Sequence, residues 1–122
     1  MRSSVGISLP AREVETLSEL PPTYQRFLET YPETARAYQA LGQAVSDEGP
    51  LDAKTRELVK LGISIGSGSE GAVHSHTRRA REAGAGDEEI RHTALLALTS
   101  IGFPHMMAAL TWVEDILNED GE

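Results

Sequence analysis

Two side chains able to move protons, Glu57 and His76, stand nineteen positions apart in the middle of the chain. Each falls on an expected helix. At about 100° per residue, a helix from about Glu70 to Ala83 places Ser69, Ala72, Val73, His76, Ala80 and Ala83 on one side. Glu70, His74, Arg78, Arg81 and Glu82 fall on the other. His76 therefore sits in a stripe of small apolar residues, where an imidazole is partly desolvated and needs a partner. Glu57 shares a side with Leu61 and Ser64, at the border of the arc formed by Leu58, Leu61, Gly62 and Ile65. A carboxylate half-buried there has its pKa raised unless a cation or donor compensates. Facing a buried histidine, it would form an acid/base pair. The plainer alternative is a core histidine bonded to a backbone carbonyl, with Glu57 bonded to Lys54, Lys60 or solvent.

His105 is the third candidate for catalysis. It follows Pro104 at an expected helix start and shares a side with Trp112 and Ile116, so partial burial is expected. The positive end of the helix dipole disfavours a charged ring there, leaving a neutral base or metal ligand. Its alternative is a structural histidine stacked on Trp112. Glu57, His76 and His105 together would suit zinc or another divalent ion if they converge. His74 and His76, two residues apart on a helix, point to nearly opposite sides and cannot serve one ion. His74 is expected to be solvated on the charged side, and His92 to lie at the surface or a subunit contact. Among Arg78, Arg79 and Arg81, Arg79 is nearest the His76 stripe and is placed to meet a substrate carboxylate. The ordinary reading of that cluster is a solvated face, with Arg78 paired to Glu82.

The bulk composition narrows the chemistry. The 122 residues contain no cysteine, which removes disulfides, thiolate metal sites and every cysteine nucleophile. Thiol peroxidase chemistry is excluded with them, since it needs a thiolate to attack peroxide and a second thiol to resolve the product. Eleven Lys and Arg against 19 Asp and Glu give a net charge of −8, which disfavours nucleic acid as a partner. With 39% hydrophobic and 25% charged residues, this is a globular composition. No stretch of eighteen apolar residues is present, so no membrane span is expected. The first ten residues lack the long apolar run of a secretory signal, so the expected compartment is the cytoplasm.

Helices are expected to carry these groups. Residues 1–20 read as an N-terminal arm ending at Pro21-Pro22, residues 21–118 as one helical domain, and 119–122 as a polar tail. Tyr24, Phe27 and Leu28 make a short amphipathic turn or two. Pro32 suits a first helical position, and Ala37, Tyr38, Leu41, Ala44 and Val45 form the apolar side of the next helix. Asp52 caps a third helix running to Ile65. Gly66-Ser67-Gly68-Ser69 breaks the chain before the fourth, and Gly84-Ala85-Gly86 ends that one. Asp87 caps a fifth helix carrying Ile90, Ala94, Leu95, Ala97, Leu98 and Ile101; Pro104 starts a sixth, which ends near Leu117. Strand-like alternation is absent, so the expected class is all-α, a compact single-domain bundle of about six helices. Met106, Met107, Leu110, Trp112 and Val113 wrap more than half of the last helix in apolar surface, which points to a homo-oligomer.

The segment Thr55-Arg56-Glu57-Leu58-Val59-Lys60-Leu61, followed by Ser69-Glu70-Gly71-Ala72-Val73-His74-Ser75-His76, resembles the core of the carboxymuconolactone decarboxylase and alkylhydroperoxidase D family. The similarity continues from Arg78 to Ile90 and spans roughly residues 30–118. The redox branch of that family has a glutamate and, twelve residues later, Cys-x-x-Cys-x-x-x-His. Glu57 and His76 match the glutamate and the histidine, while Ser69 and Ala72 occupy the cysteine positions. The resemblance implies an alkylhydroperoxidase D-like fold, assembly as a trimer or hexamer, and Glu57 and His76 facing a common pocket. It implies acid/base chemistry of the decarboxylase type, in which a β,γ-unsaturated lactone acid loses carbon dioxide. Ser69 and Arg79 then become candidate contacts for a small carboxylated substrate. No cofactor is expected beyond a possible divalent metal, and the alternative is a non-catalytic or metal-binding member that kept the fold and the oligomer but lost the thiol peroxidase chemistry.

Overall fold

The computed structural model describes residues 21–119; the arm and most of the polar tail lie outside them. Among the described residues there are seven helices and no strand. In chain order they are α1 (Pro22–Thr30), α2 (Pro32–Asp47), α3 (Ala53–Ser67), α4 (Glu70–Glu82), α5 (Asp87–Leu95), α6 (Leu98–Ile101) and α7 (Phe103–Leu117). The chain divides between Gly49 and Pro50 into two compact units.

The first unit holds α1 and α2. Each helix begins with a proline, whose missing N–H costs nothing in the first turn. Tyr24, Phe27 and Tyr31 form a short aromatic ladder, with ring centroids 6.2 and 5.9 Å apart. Leu28 and Ala35 are buried, but Tyr38, Leu41 and Val45 are exposed. The apolar side expected of α2 is therefore present, yet largely exposed among the described residues.

The second unit carries the candidate chemistry. The Asp52 side chain accepts from the Thr55 N–H at 2.9 Å and caps α3 as expected. Gly68 ends α3 in the left-handed conformation, with φ 70° and ψ 27°. Nothing lies within 4 Å of a Cβ built there, so a substitution meets backbone strain alone. Gly68→Ala is expected to cost about 1 kcal/mol, read as a lower thermal midpoint with an unchanged helical circular dichroism spectrum. Ser69 then caps α4, its hydroxyl accepting from the Ala72 N–H at 3.3 Å. At α5 the cap falls one residue before the expected Asp87: Gly86 is the N-cap, and the Glu89 side chain accepts from its N–H at 2.9 Å. Asp87 contributes its charge to the first turn instead.

The expected fifth helix is broken. It stops at Leu95 and resumes at Leu98, so only Ile90, Ala94 and Ala97 of its apolar residues are buried, while Leu95, Leu98 and Ile101 stay exposed. Gly102 then adopts φ 101° and ψ 165°, a conformation open essentially to glycine alone, and turns the chain into α7. α4 packs against α3 and against α7, and α5 also packs on α7. Leu61, Val73, Ile90 and Val113 meet in the core at 0% exposure, with Trp112 and Leu110 packed at its border.

Candidate functional site

Because α4 packs against two helices, two of its faces are occupied. Val73, Thr77 and Ala80 are buried along it, with the two histidines flanking that line. His76 turns toward α3 and His74 toward α7.

The expected pair forms. His76 Nδ1 lies 3.0 Å from Glu57 Oε1, bridging α3 and α4. The side chains are 23% and 14% exposed, so both groups are half-buried and water still reaches them. Burial is the strongest single influence on Glu57 and raises its pKa. The hydrogen bond and charge of His76, with the charges of Arg79 and Lys60, outweigh it and hold the carboxyl below the usual glutamate range. An ionised carboxylate can only accept, so Nδ1 carries the proton and donates it. In the neutral ring this leaves Nε2 as a free base, the tautomer a proton-transfer catalyst requires. The alternative of a histidine bonded only to backbone is not what the geometry gives.

Arg79 is half-buried and acts electrostatically on Glu57, which places its charge beside the pair. The other two arginines serve elsewhere. Arg78 reaches Glu119 at 3.7 Å, and Arg81 reaches Asp87 at 3.8 Å and the Ile116 carbonyl at 3.3 Å. The arginine cluster thus knits α4 to its neighbours more than it forms a solvated face. Ser69 is exposed, and its hydroxyl is already used as the α4 cap.

His105 departs from expectation. It is exposed, as are Phe103 and Pro104 beside it, because the first turn of α7 extends past the core that begins at Met106. Glu57, His76 and His105 do not make a metal-ligand group. Among the described residues, the trio whose ligand atoms all approach within 4.8 Å of one another is Glu70, His74 and Asp115. His92 is exposed, as expected. His74 is the residue the sequence misplaced. It is half-buried, with Nε2 3.0 Å from Asp115 Oδ2 and 4.0 Å from Glu70 Oε2. The four-residue spacing of Glu70 and His74 is visible in the sequence, but Asp115 joins them only through the packing of α7.

Comparison with known proteins agrees with this architecture. The model of the carboxymuconolactone decarboxylase family matches residues 32–115, and the chain belongs to that family. An uncharacterized protein of Haemophilus influenzae is 36% identical over 66 residues, 54% of this chain and 58% of that protein. The chain thus matches somewhat over half the length of this relative. A crystal structure of a carboxymuconolactone decarboxylase family protein from Legionella pneumophila, in its apo form, superposes with a TM-score of 0.66. It is 24% identical and covers 88% of this chain and 90% of its own, a likeness of fold. Among the described residues no helix is long and apolar enough to cross a membrane.

Proposed function

We propose that the protein is an acid/base catalyst of the lyase or isomerase type acting on a small carboxylated substrate. The carrying observation is the 3.0 Å bond between His76 Nδ1 and Glu57 Oε1 in a half-buried setting. In this reading Glu57 fixes the ring and offsets the positive charge it gains on protonation. In double-bond migration Nε2 of His76 takes a proton from the carbon next to an unsaturated system and returns it elsewhere. In decarboxylation the protonated ring gives its Nε2 proton to the carbon that receives the electron pair as the bond to the departing carboxylate breaks, and regains a proton from water. Arg79, beside the pair, is the proposed anchor for the substrate carboxylate. Ser69, engaged as a helix cap, and His105, exposed at the start of α7, have lesser claims as contacts. The family's decarboxylase branch supplies the reaction to try first, loss of carbon dioxide from a carboxylated β,γ-unsaturated lactone. Carbon dioxide release, followed with the lactone's ultraviolet absorbance, should be lower in His76→Gln by at least about tenfold. Parent protein indistinguishable from His76→Gln, in both decarboxylation and double-bond migration, would count against catalysis and for a member that kept only the fold.

Self-association belongs to the same proposal. Ile63, Leu96, Phe103 and Met107 are exposed on the second unit, and Tyr38 and Leu41 on the first. A trimer or hexamer would cover part of this apolar surface. Light scattering at micromolar concentration should give a multiple of the 13.2 kDa chain mass, and the monomer mass would reject it.

A further inference from the structure

We infer that Glu70, His74 and Asp115 form a binding site for a divalent transition-type cation that links α4 to α7. It lies on the opposite side of α4 from the Glu57–His76 pair and does not depend on the proposed catalysis. Glu70 and His74 are one helical turn apart, so their side chains rise together on one face. Asp115 arrives from the last turn of α7. Both carboxylates converge on the same ring nitrogen, His74 Nε2, at 3.0 Å from Asp115 and 4.0 Å from Glu70.

That convergence is what a cation would organise. A single N–H on Nε2 satisfies one carboxylate well and leaves the second without its own proton. An ion replacing that proton bonds all three. Nitrogen and oxygen donors sit about 2.0–2.2 Å from zinc, so two donors on one ion lie roughly 3.0–4.2 Å apart, depending on the angle between them. The two separations, 3.0 and 4.0 Å, fall within that range. Glu70 and Asp115 are half exposed, and their side chains can rotate to close the remaining distance. Two ionised carboxylates and a neutral imidazole balance a divalent charge, in a chain whose net charge of −8 favours cations.

A second observation comes from inside the helix. Thr77 is fully buried, and its hydroxyl has no hydrogen-bond partner. On an α-helix a side chain leans toward the N-terminus, here toward the turn that carries His74. On the outer side Asp115 also lines an open groove of about 600 Å³ along α7, so exchangeable positions on the ion have access to solvent. The imidazole nitrogen favours zinc, cobalt or nickel over magnesium or calcium, which prefer oxygen alone.

The test uses the full chain, stripped with a chelator and then titrated with zinc ions alone in a calorimeter. One ion per chain should bind at micromolar dissociation constant or tighter, and the thermal midpoint should rise with it. Cobalt in place of zinc should give visible absorption bands of a nitrogen- and oxygen-ligated ion. His74→Gln should abolish the saturable binding, Asp115→Asn should weaken it at least tenfold, and His76→Gln should bind as the parent does. Asp115→Asn alters a half-exposed carboxylate and is the variant to rely on if His74→Gln does not fold. Absence of saturable one-to-one binding overturns the inference. So does binding that Asp115→Asn leaves unchanged, or that survives in a folded His74→Gln protein, since His92, His105 or scattered carboxylates would then be holding the ion.

Discussion

Leu61→Ala is expected to lower the unfolding free energy by about 3 kcal/mol, within the 2–5 kcal/mol typical of truncating a buried leucine. Leu61 is 0% exposed in the middle of α3 and belongs to the cluster that includes Ile65, Val73, Ile90 and Val113. Removing its isopropyl group takes apolar surface out of the core and leaves a void that close-packed neighbours fill only in part. The loss reaches the site as well, because Leu61 lies one turn after Glu57 on the helix that presents the carboxylate. Val59→Ala is the matched control. It lies on the same helix but is about half exposed, and a change below about 0.5 kcal/mol is expected. Urea unfolding of both variants and the parent, at one protein concentration, reads the difference. If the two substitutions cost the same, the packing described for α3 is wrong.

What the sequence revealed and what it hid follow from the reach of the forces involved. The cap at Asp52, the break at Gly68 and the prolines at positions 32 and 104 are local backbone chemistry, decided by neighbours a few residues away. Their elements appeared within a residue or two of where they were expected. Glu57 and His76 were legible for a related reason. Glu57 stands at the border of an apolar arc and His76 within an apolar stripe, and the family resemblance implies that the two face each other. The bond between them needed only α3 against α4. His74 was hidden because helical periodicity shows which side of a helix is apolar, not how many neighbours the helix has. α4 packs chiefly on two, and its charged side is an interface whose ion pairs include His74 with Asp115 of α7 and Arg78 with Glu119 just beyond it. His105 erred the other way: its stripe is apolar, but the core stops one residue short of it. The break at Leu96-Ala97 has no proline or glycine to announce it. The apolar arc of α2 was read correctly as a pattern, and Tyr38 and Leu41 on it are exposed among the described residues.

Glu57→Gln is expected to cost about 1–2 kcal/mol near neutral pH, and the cost should shrink in acid. A hydrogen bond involving a charged group contributes about 1.5–3 kcal/mol. The value is reduced here because water retains access to both partners, at 14% and 23% exposure. Glutamine keeps the size and an acceptor oxygen but loses the charge that stabilises an imidazole donor. The sign of the pH effect follows from the carboxyl. Its pKa in the folded chain lies below its ordinary 4.5, because the bond and charges from His76, Arg79 and Lys60 outweigh burial. A depressed folded-state value means that the stabilisation is complete above the unfolded-state value and is lost as pH falls through the folded one. The parent should therefore exceed Glu57→Gln in stability at pH 7 by the full amount. The two should approach each other as pH drops below about 4.5. Urea midpoints for both proteins at pH 7 and pH 3 provide the comparison. Equal stability at pH 7 would show that the carboxylate takes no part in holding His76. An undiminished gap at pH 3 would assign the loss to packing rather than charge, and the proton-relay reading of the pair would lose its electrostatic basis.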